Sequence, residues 1–236
     1  MLKVVDEGQH HLIVVKPYNM VVVTGRGAPK PTLLDVASEQ FSPSVKPVHR
    51  LDRATYGLVI LAKTLYGQQA LSEAFRRHLV DKRYLAVVEG SPSWNSLAID
   101  ARLTRIDDPD ARKGPLARQT IDENGVRALT RVRVLVRSHD FCLVEARPET
   151  GRMHQIRAHL SHVGYPIVGD KLYGSKTPLA PNAIALCAFA LSFPAPSGGR
   201  RFVTIDAPSE MIEFCGRHGL DFAEKLKMEQ RKFTKD

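Results

Sequence analysis

The sequence predicts an α+β protein with a mixed, mainly antiparallel central sheet flanked by helices. Three observations carry this: short β-branched runs punctuated by turn residues, helical periodicity confined to brief segments, and strands that meet in hairpins rather than by strict βαβ winding. In chain order, residues 11–16 and 20–24 are β-branched runs around the turn-prone Pro17-Tyr18-Asn19, a strand-turn-strand signal. Pro31 opens a short helix to Ser38, since proline is tolerated in a first helical turn. Residues 57–63 form a continuous apolar run suited to a buried strand. Thr64 can cap the next helix, where Leu71, Phe75 and Leu79 recur at i+4 spacing. A strand follows over residues 84–89.

The segment 101–118 is polar, and Asp107-Asp108-Pro109-Asp110 signals a loop. Residues 131–137 place Val132, Val134 and Val136 between basic positions, and with residues 141–147 they make a hairpin across Ser138-His139-Asp140. One face of that hairpin is expected to be basic. Ile156, Leu160 and Val163 mark a helix that Gly164 can end and Pro166 cannot continue. The last third adds strands over 183–193 and 202–205, a helix from about Ser209, and a mixed-charge tail ending in Arg231, Lys232 and Lys235. No internal repeat is found.

The chain has 236 residues, 43% hydrophobic and 25% charged, which suits a folded domain and not a disordered chain. Thirty-four Lys and Arg against 25 Asp and Glu leave a formal charge of +9, favouring a polyanionic partner such as nucleic acid. Cys142, Cys187 and Cys215 are too few and scattered for a disulfide framework or a four-ligand zinc site, so a reducing compartment, the cytoplasm, is expected. Asp6 and Glu7 precede the first apolar run, unlike a signal peptide. The longest uncharged stretch, residues 177–199, is interrupted by four prolines, and its apolar centre is shorter than the ~20 residues that span a bilayer. No membrane association is expected. Neither a GxGxxG nor a Walker-type loop is present, so nothing points to a nucleotide cofactor.

Two polar clusters sit in apolar neighbourhoods. The first, His49-Arg50-Leu51-Asp52-Arg53-Ala54-Thr55-Tyr56-Gly57, precedes the buried run 58–63, at a strand end where functional groups tend to be displayed. Positive charge on Arg50 and Arg53 would keep Asp52 ionised. Taken alone, this is a surface turn with a weak ion pair. The second runs from Thr150 to Leu160, where Arg157 lies beside the apolar stripe residue Ile156, at a core boundary where an arginine wants a carboxylate. Taken alone, it is an amphipathic helix with a basic face.

Together the clusters carry more. VHRLDRATYGLVILAKT resembles the HRLD signature of the RluA-type pseudouridine synthases, and TGRMHQIRAHLSHVGYPIVGDKLYG resembles that family's second long motif. KPYNMVVV, KRYLAVVEG and IALCAFALSFPAP add three further resemblances, all in the family's order from Lys16 to Pro196. The resemblance implies an isomerase that converts uridine in rRNA or tRNA to pseudouridine without a cofactor. It further implies one catalytic domain of two half-domains around a central cleft, with no separate N-terminal RNA-binding module. The protein is expected to be a monomer.

Residue by residue, the resemblance maps the catalytic aspartate onto Asp52, a nucleophile or base toward the nucleoside. Arg157 matches the basic residue that pairs with that aspartate, and Tyr84 the active-site tyrosine. Arg50 matches the arginine that fills the gap left by the flipped uridine, which must leave its stack before chemistry can reach it. Leu186 is expected to form an apolar wall against the ring. The chain departs from the family pattern at Tyr56, where Ser is usual, at Met153, where Thr or Ser is usual, and at Cys187, where His is usual.

Rival readings are weaker. His154, His159 and His162 share a predicted helix, but His154 is off the face that a metal-binding i, i+4 pair would use, so no metal site is expected. A glycosidase pairing Asp52 with Glu149 has no supporting motif. A non-catalytic RNA-binding or ribosome-assembly factor on the same fold needs positive charge but has no use for a paired carboxylate.

Overall fold

The computed structural model describes residues 1–25, 29–42, 44–107, 117–220 and 223–233. The architecture is the expected α+β, with β-ladders mainly antiparallel, and the chain divides into two compact units. The first comprises Met1–Lys82, Cys187–Ala207 and Lys227–Asp236; the second comprises Arg83–Leu186 and Pro208–Leu226.

In the first unit, strands β1 (Lys3–Glu7), β2 (His11–Lys16), β4 (Tyr56–Ala62) and β11 (Leu186–Pro194) lie side by side, with β3 (Lys46–Pro47) on β4 and β12 (Arg200–Thr204) on β11. The β4–β11 pair is parallel and its neighbours are antiparallel. All six residues of β2 are buried, as are Gly57 to Ala62 of β4, which is why Leu12 to Val15 and Leu58 to Ala62 read as unbroken apolar runs. Helix α1 (Leu33–Gln40) begins two residues later than Pro31. Its cap is Thr32, whose hydroxyl accepts the Asp35 N–H while the Asp35 carboxylate accepts the Thr32 N–H. Helix α2 (Leu65–Arg76) has the expected Thr64 cap, but Leu79 falls beyond its end and is exposed.

Residues 20–24 are not a strand. The Met20 carbonyl accepts the Lys16 ammonium, and the Val21 and Val22 carbonyls accept N–H groups from the first turn of α1, so their backbone groups are used outside any ladder. Strand β1, polar and at the edge, carries no periodicity signal; it pairs with β2 through a hairpin at Gly8.

The second unit is an antiparallel array of β5 (Asp81–Glu89), β10 (Phe141–Pro148), β9 (Leu129–Arg137) and β6 (Ser96–Asp100). The expected hairpin is β9–β10, with a register shift between Leu143 and Val144. Part of the expected polar loop is strand: β7 (Leu103–Ile106) pairs with β8 (Arg118–Ile121), and Leu103 packs with Ala128, Ala158 and Tyr173 in a small core of its own. Asp108, Pro109 and Asp110 lie outside the described residues. Helix α3 (Gln155–His162) ends where expected, with Gly164 at φ 89°. Helix α4 (Ser209–Arg217) sets Phe214 edge-on to Phe141, their centroids 5.0 Å apart. The expected tail is instead a helix, α5 (Ala223–Phe233), whose Phe233 is buried; Lys235 lies outside the described residues.

Candidate active site

The HRLD segment of the first unit is a turn fastened at three points. At its start, the His49 ring stacks on Phe75 of α2 at 4.6 Å, and Nε2 accepts the Ile60 N–H of β4 at 2.8 Å. Burial, reinforced by the charge of Lys82, lowers the His49 pKa to about 3, so at neutral pH the ring is uncharged and able to accept that bond. Next, Leu51 is buried, leaving Arg50 exposed on one side and Asp52 half-buried on the other. Last, the Asp52 carbonyl accepts the Thr55 N–H at 3.1 Å, which closes a turn over Arg53 and Ala54. The Arg53 guanidinium is drawn away to the Asn19 side-chain oxygen at 2.7 Å.

Asp52 influences the titration of Lys16, at the end of β2. It is completely buried, and its ammonium donates to the carbonyls of Pro17, Met20 and Arg53 at 2.8, 2.9 and 3.2 Å. Three carbonyls match the three N–H groups an ammonium offers. Burial lowers the Lys16 pKa to about 7, and the negative charge of Asp52 opposes that shift. Lys16 therefore holds the backbone next to Asp52 and supplies positive potential to its carboxylate. Sequence reasoning quoted this residue inside KPYNMVVV without singling it out; a lysine directly following the apolar run Leu12 to Val15 was the available signal.

Behind the turn, Gly57 has φ 131°, and a Cβ there would lie 2.4 Å from the Ala188 carbonyl oxygen, so only glycine lets β4 and β11 approach. One residue earlier, Tyr56 is the register partner of Cys187. Two of the three departures from the family pattern are thus neighbours across one strand pair. Tyr56 also packs against Tyr18, centroids 5.5 Å apart. Burial, with the charge of Asp206, pushes the Cys187 thiol well above the ordinary thiol range, so it is inert filling and not a nucleophile.

In the second unit, the TGRMHQIR segment is organised by Gln155. Its side-chain oxygen accepts the Arg152 N–H and the Thr150 hydroxyl, and its amide donates to the Leu129 carbonyl and the Thr130 hydroxyl. His154 enters the helix in a left-handed conformation, φ 52°, without a side-chain cap. Arg157, on the next turn, is buried to 7% exposure. Its Nε and Nη2 donate side-on to the two carboxylate oxygens of Asp170, at 2.7 and 2.8 Å, and its guanidinium lies 4.9 Å from the centre of the Tyr173 ring. The carboxylate that this boundary arginine was expected to want includes one from its own motif, in GYPIVGDKLYG. Asp170 is in turn placed by its carbonyl, which accepts the Tyr173 and Ser175 N–H groups. Tyr173 also accepts the Gln119 N–H and bonds His154. Sequence reasoning missed Asp170 and Tyr173.

Two of the three histidines of this segment, His154 and His159, have separate partners. His159 bonds the Thr130 hydroxyl and the Ala101 carbonyl, and burial lowers its pKa. Tyr84 stands half-buried on β5, in register with Ala146. Leu186 is buried at the start of β11. Among the described residues no helix is long and apolar enough to cross a membrane.

Comparison with known proteins accords with this arrangement. A family model described as RNA pseudouridylate synthase matches residues 10–162. The chain is 34% identical over 231 residues to the uncharacterized RNA pseudouridine synthase YlyB of Bacillus subtilis, covering 92% of this chain and 74% of that protein. It is 33% identical over 227 residues to ribosomal large subunit pseudouridine synthase D of Zymomonas mobilis, covering 89% and 69%. The solved structure of human RNA pseudouridylate synthase domain containing 1 shares the fold at TM-score 0.75, with 24% identity over 98% of this chain and 95% of that one. The chain belongs to the RNA pseudouridylate synthase family, as an RluA-type isomerase acting on RNA.

Proposed function

We propose that Asp52 is the catalytic carboxylate, acting with Arg157 and Tyr84 on one uridine of large-subunit ribosomal RNA. The observation that carries the assignment is the fixation of the Asp52 turn. A buried lysine, a neutral histidine and a glycine-dependent strand contact all serve to place one half-buried carboxylate in a positive potential. Such effort has no purpose in a surface ion pair. The target class is supported by the relatives, several of which are named ribosomal large subunit pseudouridine synthase D; tRNA is the second candidate.

The reaction needs a C1′–N1 bond to break, the uracil to turn, and a C1′–C5 bond to form, while C5 loses a proton and N1 gains one. Atoms and electrons balance without a co-reactant. Asp52 opens the sequence as nucleophile or base. Arg157, held by Asp170, orients the carboxylate. Tyr84 stacks on the displaced uracil and helps remove the C5 proton. Arg50, exposed beside Asp52, occupies the space vacated in the RNA stack, and Leu186 walls the ring. The enzyme works as a soluble cytoplasmic monomer.

Incubating purified protein with rRNA and tRNA, then mapping new pseudouridines base by base, tests the target. Asp52→Asn should abolish pseudouridine formation and leave RNA affinity within about threefold, since affinity comes from phosphate contacts. Retained activity, or joint loss of activity and binding in a folded variant, overturns the assignment.

A further inference from the structure

The basic face of the β9–β10 hairpin has no role in the site just described, because strand register places it on the other side of the sheet. Tyr84 is opposite Ala146, and Ala146 is opposite Val132. Alternation then sets Tyr84, Ala146, Val132 and Thr130 on one face, the face that α3 covers through the bonds of Gln155 and His159 to Thr130. Arg131, Arg133, Glu145 and Arg147 fall on the reverse face, since Arg133 is opposite Glu145 and Arg131 is opposite Arg147.

There they line a groove of about 350 Å³. It stays open because the adjoining edge strand β6 offers only Ser96 and Ala98 opposite Arg133 and Arg131. Glu145, 1% exposed, lies at the floor and accepts from both Arg133 and Arg147, whose side chains are each 39% exposed. Arg131 pairs with Glu149 at the rim. One buried carboxylate thus aims two guanidinium groups outward. Three arginines against two carboxylates leave the groove positive. Arg131 and Arg133 stand two residues apart on one strand, roughly 7 Å, and Arg147 is one strand away, roughly 5 Å. Groups so spaced can meet successive phosphates, and an arginine fork can take a phosphate by two N–H bonds.

We propose that this groove is a second RNA-contacting surface, which takes the phosphodiester backbone of a strand flanking the target uridine. The inference rests on the family's action on RNA and not on the assignment of Asp52. It requires the RNA to pass around the β6 edge, so a substrate longer than the loop that carries the uridine must bind more tightly than the loop alone. RNA is favoured over an acidic protein segment because the partner must supply closely spaced anions to paired forks, which a phosphodiester chain does at every nucleotide.

The test uses the full chain with a short stem-loop and a long rRNA fragment carrying the same site. Arg131→Gln with Arg147→Gln should weaken binding of the long fragment about tenfold, and make its affinity loss between 50 and 200 mM salt about tenfold smaller, as expected for two lost phosphate contacts. Stem-loop binding and kcat should not move. Ala98→Lys and Ala98→Glu, at an exposed edge position and breaking no ion pair, should tighten and weaken long-fragment binding respectively. Unchanged long-fragment binding in all three variants overturns the proposal. So does an equal effect on both RNAs, which would put these arginines beside the target, and so does loss of an acidic-protein partner with RNA affinity intact. If wild-type protein binds both RNAs but modifies neither, the Asp52 reading fails while the groove is still tested.

Discussion

Replacing Asp170 by Asn removes the charge from a carboxylate 1% exposed while Arg157, 7% exposed, keeps its own. The side-on pair has N···O distances of 2.7 and 2.8 Å, so both carboxylate oxygens accept. An asparagine can offer one acceptor and must turn an NH2 toward a guanidinium N–H. Breaking one side of a buried ion pair costs about 3–5 kcal/mol, because the partner charge remains. For a chain of this length that lowers Tm by about 6–20 °C, at roughly 2–4 °C per kcal/mol. Calorimetric or dichroism melts at pH 7 measure it. Asp170→Asn combined with Arg157→Met removes both charges at similar volume and should regain most of the lost stability, while pseudouridine formation stays low in both variants. An Asp170→Asn melt within 2 °C of wild type (about 1 kcal/mol or less), or a double variant no more stable than the single, would refute the claim that this pair holds Arg157. In Asp170→Asn, kcat should fall with KM little changed, since Arg157 would be misplaced without loss of RNA contacts.

Two further outcomes follow from the Asp52 turn. His49 has its folded pKa lowered to about 3 from 6.5, so between those values the unfolded chain binds the extra proton and stability falls as pH drops through that window. Lys16, lowered to about 7 from 10.5, makes stability still rise from pH 7 toward 10. Urea melts at pH 4.5, 7 and 9 should show both limbs, and His49→Phe should flatten only the acid one; an unchanged acid limb in a folded variant removes His49 as its source. Gly57→Ala should cost at least 2 kcal/mol (about the scale of overpacking plus a disallowed φ), because the added Cβ meets backbone 2.4 Å away that cannot swing aside. A smaller loss would mean that β4 and β11 can separate.

The elements legible in the sequence were those with an apolar run or a capping residue: β2, β4, the β9–β10 hairpin, and α2 with its Thr64 cap. What escaped was set by tertiary context. Strand β1 has two half-buried residues and an otherwise exposed face, so hydrophobicity could not announce it. Strands β7 and β8 are four residues each, too short for a period, and gain their core from Tyr173 and Ala158 far along the chain. Residues 20–24 have strand composition, yet their carbonyls serve a lysine and a helix start. In the site, motif resemblance pointed to Asp52, Arg157 and Tyr84, but composition cannot report which acid meets which base. That Arg157 takes both oxygens of Asp170, and that Arg53 turns to Asn19, follow only from the folded backbone.

The pairing of Tyr56 with Cys187 bears on how such enzymes diverge. A large ring on β4 is the register partner of a small thiol on β11, where the family pattern has a small hydroxyl and an imidazole. Most of the pair's bulk therefore sits on β4 instead of β11, and the pair as a whole is larger than serine with histidine. As register partners on adjoining strands, the two positions should show non-additive effects when exchanged. A chimera that inherits its HRLD segment from one relative and its late leucine segment from another would split that pair, and its yield of folded protein would depend on which halves were joined.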